Sequence, residues 1–147
     1  MTTAFVVRQM LPGDAAAVAD LTCQLGYPAT EAEIKRRFDF IKDRWDARLF
    51  VAKQPELPIV GWVHVQATYL LEADPRAEIW GLVVAEGARG LGVGRALVEA
   101  AEEWAVRLNL DVVVVRSNQL RVQARGFYEH LGYTIVKTQN AFRKTLS

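Results

Sequence analysis

A glycine-rich run, residues 89–95 (RGLGVGR), carries the clearest chemical signal in the sequence. It follows an apolar stretch with strand character and precedes a stretch with helical spacing. Because glycine has no Cβ, the backbone amides at Gly90, Gly92 and Gly94 are open to a ligand. The positive end of the following helix adds to these amides, so the run predicts an anion site suited to a pyrophosphate. Arg89 and Arg95 add positive charge.

Two other phosphate-binding motifs are excluded, and one structural alternative stays open. The dinucleotide-binding motif G-x-G-x-x-G requires a third glycine where Arg95 stands. The P-loop ending Gly-Lys-Ser/Thr is absent. The alternative is a turn whose glycines only let the helix pack close to the preceding strand.

The composition is that of an ordinary globular protein. The chain has 147 residues, 51% hydrophobic and 24% charged, which predicts a single domain over residues 1–147. A formal net charge of +1 argues against nucleic-acid and membrane partners. With one cysteine and two widely separated histidines, no disulfide or metal site is expected. No signal peptide or apolar run of membrane-spanning length is present, so a cytoplasmic protein is expected.

Apolar periodicity and turn signals predict an ordered series of strands and helices. The predicted strands are 4–10, 49–52, 59–69, 78–84 and 112–115, followed by a closing hairpin at 133–137 and 141–145. Helices are predicted to begin at Asp14, at Thr30 with Trp45 on its buried face, after residue 94, and near residue 120. The series predicts an α/β (α+β) domain with a mixed sheet and helices on both faces.

The glycine run also resembles a family motif. Arg89-x-x-Gly92-x-Gly94 is similar to the (Gln/Arg)-x-x-Gly-x-(Gly/Ala) motif of the GNAT family of N-acetyltransferases. Residues 78–84 (EIWGLVV) resemble the strand before that motif, and residues 117–133 resemble the segment after it. The resemblance implies a mostly antiparallel sheet with splayed fourth and fifth strands. It also implies direct transfer of an acetyl group from acetyl-CoA to a primary amine in a ternary complex.

The same resemblance assigns residues to the cofactor. The pyrophosphate of acetyl-CoA would lie against Arg89, Gly90 and the backbone amides that follow, which are those of Leu91, Gly92, Val93, Gly94 and Arg95. The pantetheine arm would add to the sheet as an extra strand along Leu82, Val83 and Val84, with Gly81 permitting a bulge. Asn118 would hydrogen-bond the pantetheine or its framing loop; a helix N-cap is the alternative, and both roles can hold.

Two side chains are candidates for proton transfer. An alkyl ammonium titrates near ~10 and must lose a proton before it attacks. Glu78 opens an apolar strand and, by the resemblance, is the general base; the alternative is a strand-end glutamate facing solvent. Tyr128, in the Phe-Tyr-Glu segment, is by the resemblance the acid that protonates the thiolate; the alternative is a core aromatic.

The acceptor is expected to be a small-molecule amine. A protein lysine or N-terminal amine is one alternative, and a non-catalytic acyl-CoA sensor is another. A homodimer is compatible with the family. Four acids could line a cleft for a cationic acceptor: Glu31, Glu33, Glu72 and Asp74. His64, in mid-strand, is either an ordinary strand histidine or a lining residue of the acceptor pocket, and Trp80 could reach the substrate groove.

Overall fold

The computed structural model describes residues 4–24, 26–117 and 122–147, with the backbone alone at Val122. The chain divides into two compact units, Met1–Arg116 and Ser117–Ser147. The expectation of a single domain stays a prediction.

The first unit is built on a sheet of five strands with three α-helices. In chain order its elements are β1 (Val6–Gln9), α1 (Ala15–Gln24), α2 (Glu31–Ile41), β2 (Ala47–Lys53), β3 (Ile59–Thr68), β4 (Arg76–Val84), α3 (Val93–Arg107) and β5 (Val113–Val115). The strands lie in the order β1-β2-β3-β4-β5, and every pair is antiparallel except β4–β5, which is parallel. The predicted mixed, mostly antiparallel sheet is confirmed.

Helices α1 and α3 cover opposite faces of this sheet. The indole nitrogen of Trp62 in β3 donates a hydrogen bond to the Thr22 hydroxyl in α1 at 3.2 Å. The preceding residue, Gly61, lies against Val93 and Leu97 of α3. Because successive residues of a strand point to opposite faces, the two helices lie on either side of the sheet, as predicted.

Gly61 lets α3 approach β3 closely. A Cβ placed there would stand 2.9 Å from Leu97, 3.0 Å from Val93 and 3.0 Å from the carbonyl oxygen of Val83. Val93 and Leu97 are buried, so neither side chain can move out into solvent. The glycine therefore sets the distance between the sheet and the helix that begins at the glycine run.

Gly61→Ala is expected to destabilise the protein by about 1–3 kcal/mol, because the added methyl group overpacks this contact. The midpoint of thermal unfolding should fall by about 2–12 °C. Gly13→Ala is the matched control, since a Cβ at Gly13 meets no atom within 4 Å. Equal midpoints for the two variants would contradict the close approach of α3.

The helix starts agree only partly with the sequence patterns. Thr30 caps α2 in a capping box: the Glu33 amide donates to Thr30 Oγ1, and the Thr30 amide donates to the Glu33 carboxylate. Helix α1 begins at Ala15, directly after Asp14 as predicted, but Asp14 does not cap it, since Asp14 ends a short 3-10 turn (Pro12–Asp14). Its carboxylate instead accepts hydrogen bonds from Arg8 and from the Leu11 amide.

Trp45 is not on the buried face of α2. The helix ends at Ile41, so the helical spacing that predicted its burial does not extend that far. Its side chain is exposed and lies 6.1 Å from the ring of Tyr69.

The second unit contains α4 (Val122–His130), and Gly132, two residues beyond it, has a φ of +95°, which is typical of a glycine that caps a helix C-terminus. The closing hairpin prediction is wrong: residues 133–147 contain no strand. A strand needs a partner for its backbone groups and a surface for its apolar face. Ile135, Val136 and Phe142 are instead largely exposed.

Among the described residues, no helix is both long and apolar enough to cross a bilayer.

Candidate active site

The glycine run forms the turn that leads into α3. Gly90 and Gly92 have φ values of +85° and +82°, and Gly92 is the N-cap of α3. Only glycine adopts this left-handed conformation without steric cost. A Cβ at either glycine would meet no atom within 4 Å, so the surface beside the turn is open.

Several backbone amides are available at this turn. The first backbone hydrogen bond of α3 runs from the Ala96 amide to the Gly92 carbonyl at 3.0 Å. The amides of the first helical turn, those of Val93, Gly94 and Arg95, therefore have no acceptor within the helix. They also have no backbone acceptor elsewhere in the described ranges. The amide of Leu91, which was also predicted to contact the pyrophosphate, instead donates to the Ala88 carbonyl at 3.3 Å.

The two arginines of the run are exposed. Arg95 forms a 3.1 Å ion pair with Glu99, one turn further along α3. Arg89 makes no ion pair within the described residues. The turn thus offers backbone donors, a helix N-terminus and guanidinium groups, which suits an anion.

Beside the turn, β4 carries a bulge. Ile79 pairs with Val65 of β3 and Gly81 pairs with His64, so Trp80 is an extra residue in β4. The parallel pairing with β5 stops at Ile79. From Trp80 onward, no described residue pairs with β4 on the β5 side, as the predicted splay of these strands requires.

The unpaired edge of β4 has a defined polarity. The Ala85 amide donates to the Val60 carbonyl of β3, and backbone groups alternate in direction along a strand. Those of Val83 are therefore directed to β3, whereas those of Leu82 and Val84 are directed to the open edge. Of the three residues predicted to pair with a cofactor arm, Leu82 and Val84 have the backbone orientation for it.

Glu78 is buried, with 1% of its surface exposed. Its carboxylate accepts hydrogen bonds from Arg76 Nε at 3.0 Å and from Arg116 Nε at 2.9 Å. Burial alone would raise the pKa of this carboxyl, but the hydrogen bonds from Arg116 and Arg76 outweigh it and hold the pKa below its usual value. The alternative of a solvent-facing glutamate is therefore wrong, and the ionised, paired state also argues against direct proton abstraction by Glu78.

Arg116 is the contact that the sequence patterns missed. It follows β5 directly, its amide donates to the Ile79 carbonyl, and its guanidinium lies 4.7 Å from the Trp80 ring centroid. A usable signal was Arg76-x-Glu78, which places opposite charges on one face of a strand.

His64 and the acidic candidates have separate environments. Nε2 of His64 is buried without a hydrogen-bond partner among the described residues, and burial lowers the pKa of its imidazole. Glu31 pairs with Lys35, and Glu33 pairs with Arg37 besides capping α2. These two acids are thus engaged within their own helix. Glu72 and Asp74 are exposed.

The remaining candidates lie beyond the first unit. Tyr128 is on α4, with its ring 5.1 Å from Phe127 and 6.1 Å from Tyr133 in edge-on contacts. Asn118 falls outside the described residues. The assignment of Tyr128 as an acid and of Asn118 to the cofactor stay predictions.

Comparison with known protein families identifies the family of this chain. Residues 16–133 match the acetyltransferase (GNAT) family. The chain belongs to the GNAT family. A curated relative is the 5-NmdU N-acetyltransferase of Pseudomonas phage PaMx11, 31% identical over 85 residues. That match covers 51% of this chain and 59% of the relative, so the chain spans about three fifths of the relative's length.

Solved structures agree with the GNAT fold. A transcriptional regulator from Bacillus halodurans C-125 is 26% identical with a TM-score of 0.86, over 96% of this chain and 100% of that one. The aminoglycoside N-acetyltransferase AAC(6')-Iy in complex with CoA is 17% identical with a TM-score of 0.85, over 97% of this chain and 96% of that one. At this second level of identity the likeness shows the fold.

Proposed function

We propose that this GNAT protein transfers the acetyl group of acetyl-CoA to the primary amine of a small molecule. The observation that carries the proposal is the division of β4 from β5 at Trp80, next to the open amides of the α3 N-terminus. Among the described residues, the β4 edge beyond Ile79 has no strand partner, and the helix end supplies an anion site a few residues away. A ligand with an amide-containing arm and a pyrophosphate matches both features.

The cofactor would be held at two places. Its pyrophosphate accepts hydrogen bonds from the first-turn amides of α3 and lies near Arg89, where the helix dipole favours negative charge. Its pantetheine amides pair with the open edge of β4 at Leu82 and Val84. Asn118 is proposed to hydrogen-bond the arm. Acetyl-CoA supplies the thioester that the amine attacks.

The chain's own groups then act on the reacting atoms. Because the amide of Leu82 is directed to the open edge, we expect it to donate to the thioester carbonyl as negative charge develops on the carbonyl oxygen. The amine nitrogen forms the new N–C bond and the C–S bond breaks. Tyr128 gives its phenolic proton to the thiolate and regains one from solvent. The amine's excess protons pass to solvent.

A small-molecule acceptor is favoured by the curated relative, whose name states an N-acetyltransferase of 5-NmdU. The name AAC(6')-Iy describes an enzyme acting on aminoglycosides, which are also small amines. The acids predicted to bind a cationic acceptor give less support than the sequence indicated, because Glu31 and Glu33 are paired with cations of α2. Glu72 and Asp74 are the two left for such a role.

Turnover tests the proposal. Purified protein is incubated with acetyl-CoA and a panel of amines: aminoglycosides, amino sugars, aminated nucleosides, polyamines and a lysine peptide. Thiol release and the mass of the acetylated product are both measured. Thiol release with a small amine is expected. Transfer to the lysine peptide alone would instead indicate a protein acetyltransferase, and binding without transfer to any amine would indicate a sensor.

A further inference from the structure

The buried carboxylate of Glu78 bridges two strands. Arg76 lies two residues before it on β4, and Arg116 comes directly after β5. Salt-bridge distances are 3.0 Å to Arg76 and 2.9 Å to Arg116, and a second Arg116 nitrogen lies 3.5 Å from the carboxylate. One carboxylate thus holds two guanidinium groups that would otherwise repel each other.

This bridge lies at the point where the sheet divides. Glu78 is opposite Val114, Ile79 is the last residue of β4 paired with β5, and Trp80 is the bulge. Arg116 contacts both sides of that point, since it bonds to Glu78 and lies over the Trp80 ring. The contacts join the paired part of the two strands to the first residue of the divided part.

The same contacts make Glu78 a weak proton acceptor. A base takes a proton from a donor readily only when the pKa of the base is close to that of the donor or above it. Both guanidinium groups stabilise the ionised carboxylate, and a proton added there would lose two charge-assisted hydrogen bonds. The Glu78 carboxylate is therefore better suited to ion pairs with these arginines than to accepting a proton from an ammonium group.

We propose that Glu78 is a positioning residue. Its ion pair with Arg116, called the clasp below, holds Arg116 against β4 and thereby fixes where β4 and β5 separate to admit the cofactor arm. Its effect on turnover rests on the proposed function, whereas its effect on the sheet does not. The acceptor amine then reacts as the free base that solvent supplies, and Glu78 does not remove its proton.

Stability and binding measurements test the clasp independently of turnover. We compare Glu78→Gln, Arg116→Gln and the double variant, with Glu31→Gln as the control in an exposed ion pair. Each clasp variant is expected to unfold about 5 °C lower, because Glu78→Gln removes the charge that pairs with both guanidinium groups and Arg116→Gln leaves the buried carboxylate with Arg76 as its remaining partner. The double variant should lose less than the sum of the two single losses, since both remove one interaction. Acetyl-CoA binding, measured by calorimetry, should weaken in both single variants and stay unchanged in the control.

The pH profile separates positioning from proton abstraction. If Glu78 only positions Arg116, the reactive species is the free amine, whose fraction rises with pH. A plot of log kcat/KM against pH should then rise with a slope near one up to the pKa of the acceptor amine, both in the wild type and in Glu78→Gln. Glu78→Gln loses a factor of up to about 100 at every pH, as expected for misplaced reactants. A wild-type plateau over that range that is lost in Glu78→Gln, with unchanged unfolding and cofactor binding, would overturn the proposal. If the wild type shows no turnover, the proposed function fails while the unfolding and binding results still decide the clasp.

Discussion

Replacing Gly92 by glutamate is expected to abolish acetyl-CoA binding. Gly92 is the N-cap of α3 with a φ of +82°, beside the open amides of the first helical turn. A carboxylate there would face the negative pyrophosphate at roughly 5 Å, where two like charges repel by about 3 kcal/mol at an effective dielectric constant near 20. The carboxylate would also accept hydrogen bonds from the amides that the pyrophosphate requires. The two effects together should raise the dissociation constant about 1000-fold.

Two further variants separate charge from strain. Gly92→Ala adds about 1–2 kcal/mol of left-handed strain to the folded state without adding charge. It should lower the unfolding midpoint while changing the dissociation constant little. Gly13→Glu adds the same charge as Gly92→Glu at an open position away from the turn and should bind normally. Normal acetyl-CoA binding by Gly92→Glu, measured by calorimetry, would rule out the turn as the pyrophosphate site.

Removing the hydroxyl of Tyr128 is expected to slow transfer without weakening cofactor binding. A positioned acid contributes about 10²–10⁴-fold to a rate, so kcat of Tyr128→Phe should fall within that range. The phenylalanine ring keeps the edge-on contacts with Phe127 and Tyr133, so α4 should fold as before. Stopped-flow measurement of thiol release with a saturating amine gives the rate.

Tyr133→Phe is the matched control for this variant. It removes a hydroxyl from a neighbouring ring of the same cluster and should leave kcat near the wild-type value. A Tyr128→Phe variant as fast as the wild type would mean that the thiolate gains its proton from another group or from water. Equal losses in both variants would indicate a structural effect of the aromatic cluster.

The sequence predicts most of the fold because its signals are local. Thr30 and Glu33 lie three residues apart, and the capping box that they form needs no distant partner. The apolar run 112–115 similarly predicted a strand from its own composition, and β5 covers Val113–Val115. The closing hairpin failed for the opposite reason. Alternating residues at 133–137 favour an extended chain, but a strand also requires an edge to pair with.

The candidate site was predictable where backbone conformation decides it. Glycines at 90 and 92 occupy positive φ values, which is the property that singled them out in the sequence. The environment of Glu78 was not predictable, because its partner Arg116 lies 38 residues away and the contact depends on the register of β4 against β5. The bulge at Trp80 likewise arises from pairing with β3, and Gly81 beside it was its only sequence signal.

Cofactor selectivity is the most direct test of the central claim that the open β4 edge and the α3 N-terminus together bind CoA. The thermal unfolding midpoint is measured with acetyl-CoA, CoA, NAD and ATP, each added separately at equal concentration. Because a ligand that binds only the folded state raises the midpoint by mass action, the two CoA compounds alone should raise it. No shift with either CoA compound, or equal shifts with all four ligands, would contradict the account and leave the glycine run as a structural turn or a general anion site.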